Sequence, residues 1–177
     1  MWTMTWNAFH HRGEILQTVI DTANARQDGI LPMDVDGVTQ TFHGELDLVA
    51  ALHLKWHARL SGNIERALMA QPMELEDAIA SAWARTSSEI PGVRKIIDHY
   101  TASPSDPEMA EAMAKAQHKE WLKLAGAAGL ASDESASAAR AGEQVVLKAR
   151  ANGLGSPNAD VVASPSLVER IKAVLAA

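Results

Sequence analysis

The residues able to do chemistry are few, and two of them sit four apart. His53 and His57 lie in the segment ALHLKWHARL, at the i,i+4 spacing that makes side chains neighbours on one helix face. On a wheel of about 100° per residue, His53 falls between the directions of Leu46 and Leu60, inside the apolar stripe. His57 lies on the next flank, about 40° further round. Lys55, Arg59 and Arg66 project to the opposite side. A second segment, PEMAEAMAKAQHKEWLKLAG, carries a matching anomaly. Its apolar stripe of Met109, Met113, Ala116 and Leu124 takes in Glu120, with Gln117 beside it. His118 falls outside that stripe, among Glu111, Lys115 and Lys119.

An inward carboxylate is costly unless it is paired or coordinated. Two inward imidazoles and one inward carboxylate, drawn from two helices, are the raw material of a metal site. The expected ligands are therefore His53, His57 and Glu120. The implied cofactor is a divalent ion (zinc, iron or manganese), because imidazole and carboxylate suit all three. Such an ion would neutralise Glu120 and satisfy both rings, and an open position on it could activate water or dioxygen. His10 and Glu14 repeat the i,i+4 spacing at the border of the first helix's stripe, either acting as ligands or supporting them from behind, or forming a solvated pair. The competing reading makes His53 and His57 core polar groups bonded to Glu120, Gln117 or an internal water. A further alternative leaves Glu120 at the edge of the bundle. No residue is assigned a catalytic role.

The elements that must position these residues are helices. A first helix is expected from about Thr5 to Ala25, burying Trp6, Phe9, Leu16, Val19, Ile20 and Ala23 at 3.6-residue spacing. Asp28-Gly29 and Asp36-Gly37 mark a connection. A second helix runs from Thr39 or Thr41 to about Ala70, with Phe42, Leu46, Val49, Trp56, Leu60, Ile64, Ala67 and Leu68 inward and His43 near its start. Pro72, followed by Glu74, Glu76 and Asp77, opens a third that buries Leu75, Ile79, Ala82, Trp83 and Thr86. It breaks at Pro91-Gly92, and Val93 to Ala102 continues with Ile96, Ile97 and Tyr100 inward. Ser105-Asp106-Pro107-Glu108 reads as a capping box for a fourth helix, to about Ala125. Ser132-Asp133-Glu134 opens a fifth, whose face of Ala138, Ala141, Gly142, Val145, Val146 and Ala149 permits close backbone approach. Gly153-Leu154-Gly155-Ser156-Pro157 reads as a loop, and Ser164-Pro165 opens a last helix burying Leu167, Val168, Ile171, Val174 and Leu175. The expected fold is all-α: an antiparallel four-helix-type bundle over residues 1–127, with two further helices over 128–177 packed on it as a single domain overall.

Composition agrees with that class and excludes others. The chain has 177 residues and 47% hydrophobic side chains but only 5% aromatic ones, an alanine-rich balance that suits helices and not a β-sandwich. With no cysteine, disulfides, thiolate zinc sites and cysteine nucleophiles are excluded. The net charge is -6, and the acidic excess lies wholly in residues 1–127, since acids and bases balance beyond them. Such a surface repels phosphate backbones, so nucleic acid is not an expected partner. No apolar run reaches the ~20 residues a membrane helix needs, and the N-terminal residues do not read as a signal peptide. A soluble, cytoplasmic protein is expected.

Several motifs are missing. Met33-Asp34-Val35-Asp36-Gly37 lacks the glutamate a calcium loop needs at its twelfth position. No glycine-rich phosphate loop or nucleophile elbow is present. Di-metal carboxylate bundles resemble the expected architecture, but their Glu-x-x-His pairs are absent. Hemerythrin-like bundles share the His-x-x-x-His and His-x-x-x-Glu spacings of 53–57 and 10–14, but here the order and helix placement depart from that family. Two functional expectations follow. One is a metal-binding helical bundle. The other is a non-catalytic protein-interaction or small-molecule-binding module that self-associates, with Trp121 on a flank available to a partner.

Overall fold

Alanine-rich segments with one apolar face must bury that face against each other, and the chain does so with helices alone. In the computed structural model, which describes residues 2–154 and the side chains of residues 10–153, they are α1 (Trp2–Arg26), α2 (Val38–Thr41), α3 (Glu45–Met69), α4 (Leu75–Glu89), α5 (Pro91–Ala102), α6 (Pro107–Ala127) and α7 (Ala136–Leu154). Among the described residues there is no strand, as an all-α fold requires. The side chains of Trp2, Trp6 and Phe9, and the helix expected after Ser164-Pro165, lie outside the described residues.

Several boundaries differ from the sequence expectation, each for a local reason. The long second helix is interrupted, so that α2 is a single turn and α3 starts at Glu45. Between them Gly44 takes φ 128° and ψ -174°, a conformation only glycine adopts readily. His43 therefore stands in the connection, exposed, and not within a helix. Pro72 does not open α4, which starts three residues later, and Leu75 is 38% exposed instead of buried. Leu68, also expected inward, is exposed at the same turn. The cap of α6 is Asp106 and not Ser105: its carboxylate accepts the Met109 N–H at 2.8 Å, with Pro107 at the first helical position. α7 is opened by Ser135, whose hydroxyl accepts the Ala138 N–H at 3.2 Å. It continues through Gly153 and Leu154, where a loop was expected.

Two glycines set the closest helix approaches. A Cβ on Gly142 would overlap the Trp121 carbonyl oxygen, so α7 lies directly on the α6 backbone, as its small-residue face predicts. A Cβ on Gly92 would likewise strike the Ala23 carbonyl, which brings the start of α5 onto α1. Asn24 seals that contact by accepting the Gly92 N–H at 3.0 Å. α3 packs along α4, and α7 packs on both α6 and α4. The core centres on Leu52, Trp56, Ile79, Ile97, Met109 and Leu124. No helix among the described residues is long and apolar enough to cross a membrane.

Candidate functional site

Five helices meet at one polar cluster. α6 contributes Glu120, which faces inward and is 5% exposed, as its place in the apolar stripe predicts. A buried carboxylate needs donors, and a buried indole needs an acceptor. Both needs are met together. Trp56 of α3 donates its Nε1–H to Glu120 Oε2, and Trp83 of α4 donates to Oε1, each at 2.8 Å. The two rings meet edge to face with centroids 5.6 Å apart. Arg94 of α5, itself 8% exposed, reaches Glu120 Oε1 with Nη1 at 3.5 Å. Its guanidinium lies over both indoles, 4.7 Å from the Trp56 centroid and 5.6 Å from that of Trp83.

Asp98 extends the cluster outward. It accepts from Arg94 Nε at 3.0 Å and Nη2 at 2.7 Å, and from Arg150 of α7 at 2.7 Å. Burial works to raise the Asp98 pKa. The Arg150 hydrogen bond and the charges of Arg94 and Arg150 outweigh it and hold the carboxyl below its ordinary value. Arg150 also lies over the Trp83 ring, 5.1 Å from its centroid. Two carboxylates, two guanidiniums and two indoles thus form one continuous network.

The histidine pair lies against this network without joining it. The His53 and His57 rings stack with centroids 5.8 Å apart and an interplanar angle of 27°. His53 is buried, and its two ring nitrogens have no hydrogen-bond partner among the described residues. Burial, then the neighbouring His57 and Arg94, push its pKa down to about 4. Burial also lowers His57, against the opposing pull of Glu120. Both rings are therefore neutral at pH 7.

The three expected metal ligands, His53, His57 and Glu120, lie close together. Glu120 does face His57 closely enough to feel its charge, and it borders one cavity with His53. Both its oxygens, however, are engaged by indole N–H groups, and a guanidinium stands beside them. A cation there would displace two indole donors and meet Arg94. Among the described residues no group of three or more His, Asp or Glu side chains is placed to hold a metal ion. His53, His57 and Glu120 are brought together, with Glu120 already engaged by protein donors. His10 and Glu14 are exposed on α1. His99 is exposed, and so is His118.

Sequence reasoning located Glu120 and His53 but missed their surroundings. Trp56 and Trp83 read as apolar core residues, although two inward indoles beside one inward carboxylate already satisfy a donor–acceptor count. Arg94 and Asp98 carried a signal in their i,i+4 spacing next to Ile96 and Ile97. Nothing in the sequence pairs Arg150 with Asp98, 52 positions away.

Beside the cluster a groove of about 440 Å³ opens between α4, α5 and α7. Trp83, Ala84, Pro91 and Ala149 supply its apolar wall, Ser87 and Ser88 its hydroxyls, and Arg94, Lys95, Asp98 and Arg150 its charge. No protein-family model, curated protein or solved structure matches the chain.

Proposed function

We propose that the protein is a binding module for a small anionic molecule, taken up in the groove between α4, α5 and α7. The observation that carries this reading is the coincidence, in one concave site, of a Trp-lined apolar wall with a cluster of arginines. Small-molecule sites of ~300–1,000 Å³ combine such walls with a few placed polar groups. Three cationic side chains, Arg94, Lys95 and Arg150, line the groove against one carboxylate, Asp98. That local excess is positive on a chain whose net charge is -6. Lys95 Nζ already donates to the Gln27 carbonyl at 2.8 Å. Arg150 is then the group with donors to spare at the groove. A carboxylate or phosphate fits its planar fork, and an apolar body fits the wall of Ala84, Pro91 and Ala149 beside it.

Catalysis is not part of this proposal, because the groups that would carry it are spent on one another. Glu120 accepts from two indoles, and Asp98 is held by two arginines.

The test is a titration with benzoate and phenyl phosphate, read by tryptophan fluorescence and by amide shifts of α4, α5 and α7. A saturable response confined to those helices, weakened at least ~10-fold (about 1.4 kcal/mol) by Arg150→Ala, is expected. Arg94 still holds Asp98 in that variant, so the fold should survive. No saturable response to either compound at millimolar concentration would end the proposal.

A further inference from the structure

Among the described residues, His53 is the buried side chain whose polar atoms find no hydrogen-bond partner. It is 8% exposed, and neither Nδ1 nor Nε2 has a partner among the described residues. A neutral imidazole carries one donor and one acceptor, and a buried group with both unmade is an exception in native proteins that calls for an explanation. The ring borders a cavity of about 20 Å³ between α3, α5, α6 and α7. Gln117 and Thr101 line the same cavity, together with Arg94, Glu120 and Arg150.

Size and charge select the occupant. One water needs about 10–15 Å³ and two to four polar partners, whereas a molecule of several heavy atoms does not fit. An anion would meet Glu120, and a cation would meet two guanidiniums, so the occupant is neutral. Thr101 donates its hydroxyl hydrogen to the Ile97 carbonyl at 2.7 Å and retains lone pairs to accept another. The Gln117 carboxamide both donates and accepts.

We infer that this cavity is a binding site for one internal water, held by His53, Gln117 and Thr101. The water gives His53 the hydrogen bond that no side chain supplies and links α3 to α5 and α6 through one bridge. The inference stands apart from the groove proposal, because none of these three residues lines the groove.

Nuclear magnetic resonance on the full chain with labelled histidine tests it. The expected result is a cross-relaxation peak between the His53 ring protons and a slowly exchanging water. It should come with a single neutral tautomer whose ring nitrogen shifts show hydrogen bonding. Gln117→Leu should abolish that peak while near-ultraviolet circular dichroism stays native. Two outcomes in the wild-type chain would overturn the inference. One is tautomer averaging with no water peak. The other is a direct contact of the Gln117 amide protons with the ring, which would make Gln117 the partner. If Gln117→Leu fails to fold, the wild-type spectrum alone decides between them.

Discussion

Glu120 holds together groups that cannot easily find another partner. Truncation by Glu120→Ala strands two buried indole N–H groups and removes a carboxylate from beside Arg94, so it should cost ~3–5 kcal/mol, as breaking a buried ion pair does. Glu120→Gln keeps one acceptor but turns an amide donor toward the second indole, so a smaller loss of ~1–3 kcal/mol is expected. Urea unfolding checks the order; an Ala variant as stable as the Gln variant would show that the indoles do not depend on the carboxylate. His53 gives a pH dependence of definite sign. Its ordinary pKa of 6.5 falls to about 4 in the fold, so between those values the unfolded chain holds the extra proton. Stability is therefore complete above pH 6.5 and declines as pH drops toward 4, by about 3 kcal/mol at ~1.4 kcal/mol per tenfold change in proton affinity. His57 shifts in the same direction and adds to the slope. His53→Leu should flatten the dependence of the urea midpoint over that window, and an unchanged slope would refute its assignment. Periodicity alone revealed that Glu120 and His53 face inward, because facing depends only on position along one helix. Which groups they meet depends on how α3, α4 and α5 are rotated against α6, and no spacing within one segment encodes that.

The helices owe their arrangement to a few positions where one backbone touches another. Gly142 against Trp121 and Gly92 against Ala23 are such positions, since a Cβ at either would overlap a carbonyl group. Gly142→Ala should push α7 off α6 and destabilise by ~1–3 kcal/mol, the usual cost of overpacking. Gly62 is the control. It lies inside α3, and a Cβ there meets nothing within 4 Å, so Gly62→Ala should stabilise by ~0.4–1 kcal/mol through helix propensity and a less free unfolded chain. Thermal melts of the two variants should move in opposite directions; equal shifts would mean that α6 and α7 are not in close contact. The small-residue face of α7 was legible because Ala138, Gly142 and Ala149 recur at helical spacing. The interruption at Gly44 was not, because the apolar stripe continues from Phe42 to Leu46 across it. The sequence carries the glycine but not the φ it adopts.

At the scale of the molecule, α7 decides whether residues 1–127 form a core with an appendage or only part of one. α7 packs on both α6 and α4, buries Val145 and Ala149 in the common core, and supplies Arg150 to the Asp98 network. Lys148 adds ion pairs to Glu76 at 2.9 Å and to Asp77 at 2.5 Å, fastening α7 to the first turn of α4, although such exposed pairs contribute little each. Removing α7 would uncover the α6 backbone at Trp121 and leave Asp98 with a single arginine. We therefore expect residues 1–134 not to fold as an independent unit, whereas residues 1–154, which differ by α7, should unfold in one cooperative transition. The comparison is between the two urea curves and the near-ultraviolet tryptophan signals. A shorter chain that kept a cooperative transition and a native Trp83 signal would support the view of α7 as an addition to a finished bundle. Loss of both would make α4, α6 and α7 a single packing unit, and would place the proposed groove, which α7 walls on one side, within the cooperative core.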